Sequence, residues 1–513
     1  MIEKNNPWDI FKNGADGSAS HLKRSGGILM PVFSLPSPHG IGTFGAAAYE
    51  FADFLAASGQ SYWQVLPLNP TGFGDSPYQC FSSAAGNPYF IDLDMLVEDG
   101  LLERGEIEGV NWGDDAGRVD YEKIYLNRFR VLEAAKRRGF ERDRAAVDAF
   151  VKEHESWIHE YALFMALKRH FGMKAWTKWD DESIKRHEAD AIAHYSTELK
   201  EDIELFIYIQ YLFFTQWKRL KSYINGLGIS IIGDVPIYVA MDSVEVWAQR
   251  EFFALDENLT PKEVAGVPPD YFNQDGQLWG NPLYNWQRME ETGFSWWINR
   301  LNAAARLYDV IRIDHFRGIE SYYAVPFGES TARNGRWVKG PGMAFVNAVK
   351  RGVNAEFIAE DLGYVTDEVK ALLSGSGFPG MRVLQLGFDG MQPHDYQPHA
   401  FVENCVCYTG THDNSPTPLW VKEASDGVRE YTEKYFGVSN SAELVAAMIR
   451  GGMGSVARLF VAQLQDHLGL AEGSRVNIPG QPYGNWQWRL DKNTDLFAIA
   501  PALYEQARLY ARI

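Results

Sequence analysis

The stretch YDVIRIDHFRG, residues 308–318, carries the residues whose types and spacing most clearly suggest chemistry. The run DVIRI favours a buried strand, because valine and isoleucine pack well in sheets. It ends on Arg312, Asp314 and His315. In parallel α/β folds the carboxyl end of a strand is where active sites lie. The alternative interpretation of this stretch is a structural ion pair, in which Arg312 and Asp314 neutralise each other at a strand end and take no part in chemistry.

Three further apolar runs end in a similar way. Asp234 lies near the end of one, Glu360 and Asp361 close another, and His412 and Asp413 follow a third. If these runs are parallel strands of one barrel, their polar ends converge on one face. Four carboxylates with an arginine and a histidine suit the cleavage of a glycosidic bond. That reaction requires one carboxylate and one carboxylic acid on either side of the bond.

The pattern also indicates how these groups would differ. Crowding of like charges away from water raises the pKa of one carboxyl enough to keep it protonated near neutral pH. Arg312 lies two residues before Asp314, so both face the same side of a strand and the arginine can hold Asp314 ionised. Asp361 points to the opposite side from Glu360 by the same alternation. It is the alternative candidate for the acid, with capping of the next turn as its structural interpretation.

The elements that position these residues form a repeating strand–helix pattern. Eight strands are predicted, at residues 27–35, 62–68, 229–237, 309–313, 356–362, 381–388, 405–411 and 474–478. Helices are predicted between most of them, including one over residues 442–465. Eight parallel strands close into a packed barrel, so the predicted fold class is an α/β (β/α)8 TIM barrel. An open doubly wound sheet is the alternative.

The second and third predicted strands are far apart in the chain. Charged segments with helical spacing lie between them, at residues 121–138, 143–171 and 183–223. We therefore predict a barrel start with a substrate loop at 1–94, a mainly helical insertion at 95–225, and the remainder of the barrel at 226–513. A Gly-, Pro- and Asn-rich stretch at 264–286 is predicted to be a lid-like loop.

Composition excludes several classes of function. The 513 residues carry a net charge of −18, which argues against binding to a nucleic-acid backbone. Cys80, Cys405 and Cys407 are too few for a disulfide framework, so a reduced, cytoplasmic setting is expected. No signal peptide is recognisable in the first 18 residues, and no apolar run is long enough for a membrane span. The 16 Trp, 25 Tyr and 30 Phe include many in loop-like segments, where flat rings suit stacking on sugars.

Together these segments resemble a known enzyme family. The strand-end motifs DVPIYV, RIDHFRG, AEDLG and THDN look like those of the α-amylase clan. The segments GDSPYQCFSSAAGNPYFIDL, GVPPDYFNQDGQLWGNP, NGRWVKGPG, GFPGMRVLQLGF and GNWQWR are similar to the 4-α-glucanotransferases. These enzymes are also called amylomaltases or disproportionating enzymes and form family 77 of the glycoside hydrolases. The motifs occur in order from Gly26 to Arg489, with the likeness weak across the helical insertion.

The resemblance implies a role for each matched residue. Asp314 is expected to be the nucleophile, Glu360 the acid/base and Asp413 the third carboxylate, which holds substrate hydroxyls. The other residues are expected to position the nucleophile or to contact the glucan: Arg312, His412, Asp234, Tyr78, Trp279, Asp275 and Asn281. His315 is expected to pack or to form hydrogen bonds and not to catalyse. The reaction implied is transfer of 1,4-α-glucan segments to a maltooligosaccharide or glucose, by a retaining double displacement.

Some alternatives stay open at this stage. A retaining α-1,4-glucan hydrolase of the same fold would use the same carboxylates. A non-catalytic glucan-binding barrel would need the aromatics alone, and a sugar-phosphate isomerase or aldolase would need a phosphate loop that is not evident. No organic cofactor and no metal are expected, and the oligomeric state is open. One departure is that THDN is followed by Ser415 and Pro416, where a second acid and threonines are expected. Pro416 fixes that turn differently and removes an amide donor, which affects the shape of the nearby subsite.

Overall fold

The computed structural model describes residues 22–72, 74–269, 273–481 and 483–513. Twelve strands are found in these ranges. They are β1 (Ser25–Leu29), β2 (Tyr62–Gln64), β3 (Ser230–Val235), β4 (Glu263–Val267), β5 (Gln277–Pro282), β6 (Val310–Ile313), β7 (Ser321–Pro326), β8 (Arg336–Lys339), β9 (Glu356–Ala359), β10 (Gly380–Val383), β11 (Cys405–Tyr408) and β12 (Leu459–Gln463).

Eight of these strands form a closed barrel in the order β1-β12-β11-β10-β9-β6-β3-β2. Every neighbouring pair is parallel. The predicted (β/α)8 barrel is therefore confirmed, and the open doubly wound sheet is excluded. The first 18 residues, on which the signal-peptide prediction rested, lie outside the described residues.

Helices surround the barrel and fill the long connection between β2 and β3. They are α1 (Ala46–Ala57), α2 (Leu93–Glu98), α3 (Arg104–Ile107), α4 (Tyr121–Gly139), α5 (Arg144–Glu153), α6 (Ile158–His170), α7 (Glu182–Lys185), α8 (Ala189–Glu198), α9 (Lys200–Gly226), α10 (Val244–Ala248), α11 (Trp286–Glu291), α12 (Ser295–Leu307), α13 (Met343–Gly352), α14 (Asp367–Ser376), α15 (Thr417–Glu423), α16 (Asp426–Phe436), α17 (Leu444–Gly454), α18 (Leu464–Leu468) and α19 (Ala500–Leu509). Within the described residues, no helix is both long and apolar enough to cross a bilayer.

The connection from β2 to β3 is helical, as its charged periodic segments indicate. The longest helix there, α9, packs against α6, α4 and α5 and returns the chain to the barrel at β3. Asp120 caps α4 by accepting a hydrogen bond from the Lys123 amide, which satisfies a free donor of the first turn. The division of the chain at residues 94 and 225 stays a prediction.

The position predicted for the eighth strand is wrong. The strand is β12, which lies inside the stretch predicted as helix over 442–465, and residues 474–478 have no regular structure. The helix α17 ends at Gly454, and Leu459, Phe460 and Val461 then form a short run buried on both sides. Such a run fits helical and strand spacing equally well, so periodicity could not separate the two.

The lid-like loop predicted at 264–286 is also more regular than expected. The strands β4 and β5 form an antiparallel pair, and β7 and β8 extend it to a four-stranded sheet in the order β5-β4-β7-β8. A bulge between Val264 and Gly266 interrupts the first pair. The sheet is built from the connections that leave the carboxyl ends of β3 and β6, since β4 and β5 come after β3 and β7 and β8 come after β6. It therefore lies at the mouth of the barrel, where the polar residues of these strands emerge.

Side-chain alternation determines what the barrel encloses. One buried cluster contains apolar residues from β3, β6, β9, β10, β11 and β12, among them Ile232, Val310 and Ile358. Residues two positions further along the same strands face the same way. For β3, β6 and β9 those residues are Asp234, Arg312 and Glu360, so the strand pattern itself directs them into the mouth of the barrel.

The close contact between β3 and β6 gives a test of this packing. A Cβ at Gly233 would lie 2.0 Å from Cγ of the buried Tyr308, so Gly233→Ala forces the ring away from its site. Such overpacking typically costs about 1–3 kcal/mol, and we expect a clearly lower thermal midpoint by circular dichroism. Gly226→Ala is the matched control, because a Cβ there would meet no atom within 4 Å. Equal midpoints for the two variants would contradict the described contact.

Candidate active site

The centre of the site is Arg312, which is 3% exposed and lies between two carboxylates. Its Nη1 atom is 2.6 Å from Oδ2 of Asp234 and 2.8 Å from Oδ1 of Asp314. Asp234 and Arg312 are directly paired across β3 and β6, and Asp314 lies one residue beyond the end of β6. Asp234 is fully buried, whereas the Asp314 side chain is 28% exposed. The open carboxylate of the pair is therefore the one that a substrate could reach.

Tyr78 joins this ion cluster from the loop after β2. Its hydroxyl donates a hydrogen bond of 2.8 Å to Oδ2 of Asp234. Burial raises the pKa of Asp234, which the charge of Arg312 opposes. Burial also raises the pKa of Tyr78 well above its ordinary value, and the charge of Asp234 adds to this rise. The tyrosine therefore stays a neutral donor and ties its loop to the barrel interior.

Glu360 directly follows β9 and is 7% exposed. Its Oε2 accepts a hydrogen bond of 2.7 Å from the His315 amide, and its Oε1 accepts one of 2.7 Å from the Leu362 amide. Burial raises the pKa of Glu360 to about 8; Arg312 opposes this rise and the charge of Asp314 adds to it. At neutral pH this carboxyl is thus largely protonated, although its position is fixed by two backbone donors.

The neighbouring acid, Asp361, faces the other way. Its Oδ1 accepts a hydrogen bond of 2.6 Å from the Met381 amide, and its Oδ2 lies 3.0 Å from Nη1 of Arg382. Both partners belong to β10, so Asp361 secures the next strand of the barrel. This is the orientation that strand alternation predicts for a structural residue.

Asp413 follows β11 and is held by residues from far along the chain. Asn477 Nδ2 donates a hydrogen bond of 2.6 Å to Oδ1 of Asp413, and His412 Nε2 lies 3.3 Å from the same oxygen. Arg475 Nη2 donates to the Asp413 carbonyl at 2.7 Å. The Asp413 side chain is nevertheless 45% exposed. The carboxylate is fixed in position but remains accessible.

Three rings form a wall beside these carboxylates. The rings of Tyr78 and His412 stack with centroids 5.1 Å apart and an interplanar angle of 16°. Trp486 completes the group, with its centroid 5.8 Å from Tyr78 and 6.0 Å from His412. A flat aromatic wall next to carboxylates suits the two faces of a sugar ring, one apolar and one rich in hydroxyls.

The antiparallel sheet contributes a further aromatic ring near Glu360, through His315. Trp279 of β5 meets His315 edge-on, with centroids 4.9 Å apart at 82°. Burial lowers the pKa of His315 to about 4, so this histidine is neutral at pH 7 and packs, as expected. Asn281 donates to the Val239 carbonyl at 2.8 Å and accepts a hydrogen bond of 3.1 Å from Gln79. It therefore supports the Tyr78 loop from behind.

Asp275 is placed differently from the other predicted site residues. It lies in the turn between β4 and β5, where its carboxylate pairs with Arg333 at 2.8 Å. Both side chains are more than half exposed. Within the described residues, this ion pair is the side-chain contact that the structure gives for Asp275, and it lies outside the carboxylate cluster.

Sequence reasoning missed Arg475 and Asn477 as site residues. The sequence predicts a strand over the segment SRVNI, residues 474–478, in which Arg475 and Asn477 alternate with Val476 and Ile478. That alternation was a real signal, because it places two polar groups on one side of an extended segment. What it could not reveal is that this side meets Asp413, more than sixty residues earlier in the chain.

The departure at Ser415 and Pro416 has a structural explanation. Ser415 Oγ accepts a hydrogen bond of 3.0 Å from Arg475 Nη1 and donates one of 3.2 Å to Glu423. Pro416 precedes the first turn of α15, where its missing amide removes no helical hydrogen bond. Arg475 therefore holds the loop at both Asp413 and Ser415, and serine supplies the contact.

A closed parallel barrel with carboxylates clustered at the carboxyl ends of its strands is the arrangement of an enzyme acting on glycosidic bonds. Comparison with known proteins specifies the family. A family model described as 4-alpha-glucanotransferase matches residues 30–494. The chain therefore belongs to glycoside hydrolase family 77, the family of the 4-alpha-glucanotransferases.

Individual relatives agree with this placement. The 4-alpha-glucanotransferase of Clostridium butyricum is 44% identical over 486 residues, which cover 94% of this chain and all of that protein. The enzyme of the same name from Streptococcus pneumoniae is 45% identical, with 96% of this chain and 98% of that protein covered. The solved amylomaltase from Streptococcus agalactiae in complex with acarbose superposes with a TM-score of 0.92 at 40% identity, covering 96% of this chain and 100% of that one. The predicted glucanotransferase is thus confirmed over the hydrolase alternative.

The raised pKa of Glu360 predicts how stability depends on pH. The folded carboxyl has a pKa of about 8 against an ordinary value of 4.5. Its stabilising contribution is therefore fully present below pH 4.5 and is lost as pH rises through about 8. The loss amounts to about 1.4 kcal/mol for each pH unit between the two values.

Thermal midpoints of wild type and Glu360→Gln, measured from pH 4.5 to 8.5, test this dependence. Glutamine does not titrate, so the midpoint of the variant should fall less steeply with rising pH. Any fixed cost of placing an amide before two backbone donors cancels, because only the slopes are compared. Parallel slopes would show that Glu360 has an ordinary pKa in the folded protein.

Proposed function

We propose that this enzyme transfers 1,4-α-glucan segments from a donor chain to a maltooligosaccharide or glucose, with Asp314 as the nucleophile and Glu360 as the acid/base. The observation that carries the assignment is the contrast between the two groups. Asp314 is partly exposed and paired with a cation at 2.8 Å, while Glu360 is buried with a pKa of about 8. One carboxyl is thus suited to attack and the other to deliver a proton.

In the first half of the reaction, an Asp314 oxygen attacks the anomeric carbon of the donor sugar. The bond from that carbon to the glycosidic oxygen breaks, and Glu360 gives its proton to this oxygen. The leaving segment departs with a new hydroxyl group, and the remaining segment is bound to Asp314 as an ester. Arg312 orients the attacking carboxylate, and its second partner, Asp234, keeps the guanidinium in place.

In the second half, the 4-hydroxyl of an acceptor sugar replaces the leaving segment. Glu360, now ionised, takes the proton of that hydroxyl. The hydroxyl oxygen attacks the anomeric carbon, and the ester bond from that carbon to Asp314 breaks. The configuration is retained after two displacements. Water would give hydrolysis by the same route, so transfer requires that the acceptor be held and water be kept out.

The remaining predicted residues are assigned to the bound sugar. We assign Asp413 to binding the hydroxyl groups of the sugar ring. Hydrogen bonds from these hydroxyls to the carboxylate become stronger as the sugar becomes oxocarbenium-like in the transition state. His412 and Tyr78 form the aromatic wall, and Trp279 covers the opposite side. Asn281 supports the Tyr78 loop. Asp275 is assigned to the outer turn of the sheet, where it would reach only a long glucan.

A cytoplasmic location belongs to the same proposal. Cys80, Cys405 and Cys407 are all free thiols and all buried. Unpaired cysteines are typical of a reducing compartment, which supports the expectation drawn from cysteine usage.

Substitution of the nucleophile tests the assignment. Wild type incubated with maltotriose alone should produce glucose and a ladder of longer oligomers, resolved by chain length over time. Asp314→Asn should lower the rate by about a thousandfold or more, because an amide cannot form the ester. Asp361→Asn is the matched control, a neighbouring acid that points away from the mouth. Full activity of Asp314→Asn would overturn the site assignment. If wild type released only glucose and maltose, without oligomers longer than maltotriose, the enzyme would be a hydrolase.

The pH dependence of the first half-reaction tests the role of Glu360. Because the acid must be protonated, kcat/KM for maltotriose should fall above a pH of about 8, approaching tenfold per unit. α-Maltosyl fluoride has a leaving group that needs no proton, so its kcat/KM should lack this descending limb. If both donors show the same limb, the group that titrates is not the acid.

A further inference from the structure

Two exposed aromatic rings share one buried arginine at the edge of the antiparallel sheet. The Arg317 guanidinium lies 3.8 Å from the ring centroid of Trp337 and 5.9 Å from that of Tyr364. Arg317 is only 3% exposed, while Trp337 is 38% and Tyr364 is 69% exposed. The buried cation therefore packs against both rings, and both rings remain partly exposed to solvent.

This group, the Trp337–Tyr364 platform, is fixed in place by polar contacts. Arg317 Nη1 donates to the Tyr364 carbonyl, and Nη2 donates to Ser321 Oγ at 3.0 Å. Trp337 lies on the edge strand β8, directly opposite Tyr323, with ring centroids 5.2 Å apart. A tyrosine that is two-thirds exposed gains little from burial, so folding alone does not account for its presence there.

The platform lies beside Glu360 through two short connections. The His315 amide donates to the Glu360 carboxylate, and the Phe316 amide donates to the Glu360 carbonyl at 2.9 Å. Arg317 is the next residue in that chain. On the other side, Tyr364 follows Glu360 by four residues, and the Leu362 amide between them also binds the carboxylate. Tyr364 is thus four residues from the acid, and Trp337 is connected to it through Arg317, which follows a residue bonded to Glu360.

Reaction chemistry defines which part of the glucan lies on this side. The acid protonates the glycosidic oxygen, so it faces the leaving segment and, in the second half, the incoming acceptor. Asp413, His412 and Tyr78 lie at the other carboxylates and belong to the sugar that stays on the enzyme. Aromatic rings beyond Glu360 are therefore on the acceptor side.

We propose that Trp337 and Tyr364 form a binding platform for the acceptor arm of a 1,4-α-glucan and that it makes oligosaccharides better acceptors than glucose. The inference rests on the proposed function, since it uses Glu360 as the acid. Flat rings held rigid by Arg317 suit stacking against successive sugar rings at a low entropic cost. Glucose fills only the position next to Glu360 and cannot reach both rings, whereas an oligosaccharide can.

The test compares two acceptors in the full-length enzyme. Unlabelled maltotriose serves as donor, and isotope-labelled glucose or isotope-labelled maltotetraose serves as acceptor. For Tyr364→Ala and Trp337→Ala we expect the ratio of the acceptor KM for maltotetraose to that for glucose to rise by about tenfold, the loss of one good stacking contact. Trp337→Phe, which keeps a ring, should recover part of the effect.

Tyr504→Ala is the matched control. Tyr504 is 42% exposed on α19 and lies near Gly59, before β2, at the end of the barrel opposite to the mouth. Its KM ratio should equal that of wild type. An unchanged ratio in both platform variants, or equal rises of KM for both acceptors, would overturn the proposal. Equal rises would mean that the rings only support Glu360.

Direct binding separates this proposal from the proposed function. If wild type formed no transfer product, the proposed function would fail by itself. Calorimetric titration with maltoheptaose would still report on the platform, since binding needs no turnover. Weaker binding to Tyr364→Ala and Trp337→Ala than to Tyr504→Ala would support the platform, and equal affinities would overturn it.

Discussion

The site depends on one buried cation. Arg312 would be very costly inside the barrel without partners, and removing either partner would leave a charge that the interior cannot solvate. Its position is set by the register that pairs it with Asp234 across β3 and β6. Because the same Nη1 atom also contacts Asp314, that register fixes the direction of the carboxylate at the barrel mouth. Tyr78 then joins its loop to the same cluster. The register between β3 and β6 therefore determines both the packing of the barrel and the geometry of the site.

The residues predicted most accurately from sequence are those that lie on their own strands. The period of two in β3, β6 and β9 determines that Asp234, Arg312 and Glu360 face inward and that Asp361 does not. The failures concern elements defined by distant partners. The strand β12 becomes recognisable only once β1 and β11 are in place on either side of it. The strands β7 and β8 are short and stable only as part of a sheet with β4 and β5.

The support of Asp413 shows the same limit within the site. The Asp413 carboxylate follows a strand, as the sequence predicts, but its position relies on Asn477 and Arg475 from a non-regular segment. The alternation in this segment places Arg475 and Asn477 on one side of an extended chain, but it does not reveal which distant residue they contact. The same segment explains why a serine is found at position 415, because Arg475 donates hydrogen bonds to both the Ser415 hydroxyl and the Asp413 carbonyl. The subsite is therefore held by an arginine, and an acid at position 415 is not needed to keep the loop in place.

The two sides of Glu360 are built in different ways, and the difference suits a transferase. On the side of Asp413 the rings of Tyr78, His412 and Trp486 pack on one another and on the ion cluster, so the surface that they form is rigid. In the proposed mechanism this surface faces the segment that stays on the enzyme. On the other side the rings stand half-exposed on an edge strand and a surface loop. A transferase must retain one segment through both halves of the reaction and exchange the other. Rigid burial favours retention, and an open aromatic surface allows one chain to leave and another to bind before water competes.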